Sequence, residues 1–185
     1  MLAHAWQLQE GRPLYPSPNP HFVPYVYPPG YSALLAMLGS GVGLSMWLGR
    51  LVSILWTCAG AGALWIGVRR HGGAQLDGAL AAGAYLACYV SSGAFFDLVR
   101  PDAMALALFA GSAVCALERH RWGPIAAGLL LAASFMCKHN FAAFGPAMAL
   151  ALATRSRRDA VVFAVCAAGP ALACTALWQW SSSGM

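Results

Sequence analysis

Apolar runs of near membrane-spanning length, each closed by a knot of charge, constrain this chain more than any other feature. Residues 46–68, 76–96, 102–118, 122–137, 141–154 and 160–180 form six such runs. The knots between them are Arg69-Arg70-His71, the Asp97–Arg100 stretch, Glu118-Arg119-His120-Arg121, Lys138-His139-Asn140, and Arg155, Arg157 and Arg158. Crossing a hydrocarbon core of about 30 Å takes about 20 helical residues. The sequence therefore predicts an all-α integral membrane protein, a multi-pass bundle of about six transmembrane helices, with 141–154 the shortest. Charged residues make up only 9% of the chain, against about 25% in a soluble domain, too few to coat a water-facing globule. The net charge of +5 does not point to nucleic acid, because the basic residues share no patch with interleaved aromatics.

The knots differ in composition, and that sets orientation. Those after the first, third and fifth runs are rich in Arg, whereas the others hold Asp97, Asp102, Lys138 and His139. Positive residues favour the cytoplasmic side, so the first set is expected inside and the second outside. Residues 1–29 are polar and crowded with proline from Pro13 onward, which forbids a long helix and leaves an irregular loop after a short helix near residues 1–10. No basic region followed by an apolar core marks a cleavable signal. Residues 30–44 are apolar but broken by Gly39, Gly41 and Gly43. About a dozen helical residues reach roughly 18 Å, short of the core, so an interfacial or re-entrant helix is expected there. Two regions follow: an outer loop with its interfacial helix over 1–45, and the transmembrane bundle over 46–185. Cys58, Cys88, Cys115, Cys137, Cys166 and Cys174 lie in or beside apolar runs without metal-ligand spacing, as small fillers of a helix bundle do.

Ionisable groups at membrane depth are costly and tend to mark function. On the expected outer side these are Asp97, Arg100, Asp102 and Lys138. Each has a plain structural alternative: Asp102 can cap a helix behind Pro101, Arg100 can anchor at the headgroups, Lys138 can snorkel, and Asp97 can be a solvated loop carboxylate. An aromatic belt accounts for most of Tyr15, Tyr25, Tyr27, Tyr31, Trp6, Trp47, Trp122, Trp178 and Trp180. His4 and His21 read as solvated loop histidines.

The order of short motifs adds a resemblance. Gly11-x-Pro13-Leu14-Tyr15, Tyr27-Pro28-Pro29-Gly30-Tyr31, Gly43-Leu44-Ser45 with Arg50-Leu51-Val52-Ser53, Val99-Arg100-Pro101-Asp102 and Phe135-Met136-Cys137-Lys138 follow one another along nearly the whole chain. Together they resemble bacterial GT-C glycosyltransferases of the protein mannosyltransferase and aminoarabinose transferase group. The resemblance implies transfer of a sugar from a polyprenyl-phosphate carrier to an acceptor, which it does not identify, at the outer face of the inner (plasma) membrane. It implies that Asp102 is the second-loop acid of the site, that Arg100 and Lys138 meet the donor phosphate, and that Tyr27 and Pro28 form the turn beside it, although some relatives carry a lysine near Pro28. No residue pattern supports a bound metal; a divalent ion stays compatible with the chemistry. Relatives carry a further acid after a first transmembrane helix, ahead of the position matching Met1, so the resemblance also implies a fragment. Glu10 lies too late in the pattern to replace that acid, and sugar transfer by these 185 residues alone is not expected. A fragment of a small-solute transporter and a non-catalytic membrane remnant are the other classes open at this level. The absence of an internal repeat disfavours the transporter.

Overall fold

The computed structural model describes residues 1–15, 27–91, 93 and 95–183. Among them are eight α-helices, one 3₁₀ turn and no strand: α1 (Leu2–Gln9), α2 (Gly30–Val42), α3 (Met46–Arg70), α4 (Gln75–Ala87), α5 (Asp102–Leu117), α6 (Gly123–Cys137), the 3₁₀ turn His139–Phe144, α7 (Gly145–Ala153) and α8 (Arg157–Ser183). The all-α membrane fold is as expected. The short N-terminal helix and the helix over residues 30–42 are there too. Residues 16–26, which hold Tyr25, His21 and four of the eleven prolines, lie outside the described residues.

Local signals explain the boundaries. Ser45 caps α3 by accepting from the Leu48 amide at 3.1 Å, and Arg69 and Arg70 occupy its last turn, where cations suit the negative end of the helix dipole. Pro124 and Pro146 sit in the first turns of α6 and α7, the one place where a missing amide costs nothing.

Among the described residues, α3 and α8 are long and apolar enough to cross a membrane by length and composition; α4, α5, α6 and α7 have 13, 16, 15 and 9 residues. One expectation needs correction. The apolar run 76–96 is not one helix. It stops at Ala87, Ser91 Oγ donates to the Cys88 carbonyl at 2.9 Å, and Gly93 takes a φ of +78°, a left-handed turn that glycine adopts without steric cost. The chain then folds back on α4 and α3: Phe96 stacks on Tyr85 with ring centroids 5.0 Å apart, and Thr57 Oγ1 donates to the Phe96 carbonyl at 2.9 Å. An apolar run does not distinguish one long helix from a shorter helix followed by a turn.

The bundle is built on small residues. α5 packs between α3 and α6, and α6 in turn against α8. Two fully buried serines tie α6 to α5: Ser134 Oγ donates to the Ala105 carbonyl and Ser112 Oγ to the Ala127 carbonyl, both at 2.7 Å. At Gly128 a Cβ would stand 2.6 Å from Cys166 Cβ and from the Phe163 carbonyl, so α6 and α8 touch nearly backbone to backbone. Close approach through Gly, Ala and Ser, with interhelical hydrogen bonds, is how helices associate where lipid offers no hydrophobic gain. Tyr31 is no belt residue: it is fully buried, donates to the Gly49 carbonyl at 3.2 Å and lies 2.9 Å from Ser53 Oγ, fixing α2 to α3. Trp47, at 82% exposure, and Trp180 remain at the surface, as a belt requires. All six cysteines are free, and His4 is partly buried in α1 rather than solvated.

Candidate functional site

Among the described residues, ion pairs lie at both ends of the bundle. At one end are Arg50–Asp97, Arg100–Asp102 and Lys138–Asp102; at the other are Arg70–Glu118 and Arg155–Asp159. The first end gathers the candidate residues.

Asp102 is the first residue of α5, following the buried Pro101. Its carboxylate makes no capping bond to the helix amides. Instead Oδ2 accepts from Arg100 Nε at 3.1 Å and Oδ1 from Lys138 Nζ at 2.5 Å. The side chains of Asp102 and Lys138 are only 16% and 22% exposed, so neither is a solvated anchor. Lys138 follows the last turn of α6 in extended backbone, φ −152° and ψ 111°. The Ser134–Ala105 bond lies one turn deeper on each helix, so the seam that it closes brings residues 36 positions apart within reach. Arg100 lies 4.0 Å over the Phe95 ring, a cation–π contact, and its Nη2 reaches the Tyr27 hydroxyl at 3.5 Å. Two cations around one carboxylate leave a positive excess.

The cluster adjoins, without lining, a cavity of about 400 Å³: Arg100 touches Tyr27 of its wall, and Lys138 directly precedes His139 of another. Tyr27, Pro28 and Pro29 form one wall, Phe135, Met136 and His139 another, and Thr175, Trp178 and Gln179 of α8 the third. Tyr15 completes it, donating its hydroxyl to the Tyr27 carbonyl at 2.7 Å and meeting Trp178 edge-on with centroids 6.1 Å apart. Burial raises the Tyr15 phenol above its usual range, so it stays a neutral donor at physiological pH. A second, almost wholly apolar groove of about 500 Å³ runs between α6, α7 and α8, lined by alanines with Leu131, Phe163 and Leu172. It shares Phe135 and Thr175 with the first, so the two cavities adjoin.

The structure thus brings Arg100, Asp102 and Lys138 together, with Tyr27 and Pro28 beside them. Asp97 is apart: it pairs with Arg50 at 2.5 Å and accepts from the Tyr89 hydroxyl at 2.8 Å, so it is a tether and not a free loop carboxylate. Arg50 first, and Tyr89 second, hold its carboxyl below the usual range. Glu10 ends α1, exposed. Sequence reasoning missed His139, Tyr15 and Trp178 as cavity residues; the signals were the adjacency of His139 to Lys138 and the place of Tyr15 in its motif. Among the described residues no three His, Cys, Asp or Glu side chains cluster as a metal site. Both oxygens of Asp102 are engaged by cations, so the residues present do not fit a divalent ion.

A family model described as dolichyl-phosphate-mannose-protein mannosyltransferase matches residues 26–180. No curated protein and no solved structure matches the chain.

Proposed function

Because this chain belongs to the dolichyl-phosphate-mannose-protein mannosyltransferase family, membrane glycosyltransferases of the GT-C type, we propose that it serves transfer of a sugar from a polyprenyl-phosphate donor to a hydroxyl acceptor at the outer face of the membrane. The observation that carries this reading is the arrangement itself: the Arg100–Asp102–Lys138 cluster, linked through Tyr27 to a cavity that adjoins an apolar slot. A lipid-linked sugar has the matching parts, an anionic phosphate between a polar ring and a hydrocarbon tail.

In the reaction the acceptor oxygen attacks the anomeric carbon, and the carbon–oxygen bond to the phosphate breaks. The electron pair leaves with the polyprenyl phosphate, and the acceptor's proton passes to a base. Charge grows on the departing phosphate, where fixed cations are worth most. Arg100 offers a planar fork and Lys138 a point charge. Asp102, with both oxygens in ion pairs, acts in this reading by positioning the two cations and not by taking the proton.

The test is Asp102→Asn in membranes carrying the protein expressed from its own gene. Sugar transfer should fall on the order of a hundredfold, the usual scale for lost electrostatic positioning, at normal insertion and expression. The pH–rate profile should keep its acidic limb, since the base is another group. Near-full activity would show that Asp102 is structural. Loss of the acidic limb would make it the base instead.

A further inference from the structure

The opposite end of the bundle carries a cavity that sugar transfer does not use. It encloses about 730 Å³ between the ends of α3, α5 and α7. Arg70, His71, Arg119 and Arg155 stand on its rim, and Glu118 is the one acid there. Glu118 is already matched with Arg70 at 3.0 Å. Arg155 is held in place, donating to the Ala116 and Leu117 carbonyls at 3.4 Å and to Asp159 Oδ2 at 3.3 Å. Arg119 makes no hydrogen bond or ion pair among the described residues. Around the bowl the same end also carries Arg69, Arg121, Arg157 and Arg158. The floor is apolar, and exposed Leu117 stands at its edge. A free inorganic phosphate has no use for such a floor, whereas the carbon skeleton of a phospholipid does.

We propose that this bowl binds the phosphate headgroup of an anionic phospholipid, with Arg119 and Arg70 on the phosphate and an acyl chain laid over the apolar floor and Leu117. Basic pockets between membrane helices on the cytoplasmic side recognise anionic headgroups in this way, and the arginine bias assigns this end to the cytoplasm. The site is independent of the donor chamber, which shares none of its residues.

The experiment is retention of phosphatidylglycerol against phosphatidylcholine by the full chain, read by native mass spectrometry after detergent extraction. Phosphatidylglycerol should be retained preferentially. Arg119→Gln should weaken that retention about fivefold, the worth of one arginine near an anionic lipid. Arg157→Gln removes the same charge nearby but outside the bowl and should change it less than about twofold. Thermal unfolding of both variants should match the parent. Equal retention of the two lipids, or equal loss in the two variants, overturns the site. Displacement of the lipid by inorganic phosphate alone, at matched ionic strength, overturns the assignment to a lipid.

Discussion

The Asp102 carboxylate shows what can be read from single residues and what cannot. Arg100, Asp102 and Lys138 stand out in sequence because ionisable groups between apolar runs need a reason to be there. Their pairing does not stand out, since it depends on the α5–α6 seam closed by Ser134 and Ala105. Tyr31 gave the opposite error: an aromatic near an interface resembles a belt residue until a buried serine on α3 answers its hydroxyl. Asp97 lends itself to a pH test. Its folded carboxyl is held below the usual value, first by Arg50 and then by Tyr89. The contribution of this tether is therefore complete above the ordinary carboxylate pKa, about 4. It is lost as pH falls through the lower folded value. Hydrogen exchange of the amides near residues 95–98 should be protected at neutral pH and accelerate only in strong acid. Asp97→Asn should accelerate it at every pH while leaving sugar transfer within about threefold, far from the loss expected at Asp102. A loss at Asp97 as large as that at Asp102 would put both carboxylates in the site.

Among the elements, α2 is the one whose placement governs the chamber. It starts directly after Tyr27-Pro28-Pro29 and is pressed against the end of α6: a Cβ at Gly30 would lie 2.6 Å from the Met136 carbonyl, a backbone atom that cannot swing away. Gly30→Ala should therefore act as overpacking, costing about 1–3 kcal/mol, and should push the Tyr27 wall away from Arg100. Gly41 lies in the same helix with nothing within 4 Å of its would-be Cβ, so Gly41→Ala should stabilise by about 0.5–1 kcal/mol through backbone entropy. Thermal unfolding in detergent should move in opposite directions for the two variants. A rise for both would mean that α2 is not seated on α6. The helix over 30–42 was legible from its glycine-broken apolar run. The early end of α4 was harder to read: Ser91-Ser92-Gly93 interrupts the run 76–96 in sequence, but the contacts that fold its second half back, Phe96 on Tyr85 and Thr57 on the Phe96 carbonyl, are tertiary.

At the scale of the whole molecule, the segregation of ion pairs to two ends matches the alternation of basic and acidic knots along the chain. Which end faces out is a prediction of the arginine bias. In a background lacking the six native cysteines, single cysteines near residues 98 and 139 should react with an impermeant reagent added to intact cells, and those near 71, 120 and 157 should not. Reaction at 71 would invert the assignment. The unequal helix lengths carry a further consequence. At 1.5 Å per residue, the 25 residues of α3 extend about 38 Å, whereas the 16 and 15 of α5 and α6, which present Asp102 and Lys138, extend only about 24 and 22 Å. A bilayer thick enough for α3 overtops α5 and α6, so lipid beside them must thin or water must enter above their ends. The Arg100–Asp102–Lys138 cluster then lies sunk below the general headgroup plane, and its depth depends on the acyl chains around it. Reconstituted into shorter-chain lipids the protein should transfer sugar faster, and in longer-chain lipids more slowly, making bilayer thickness a control on its rate.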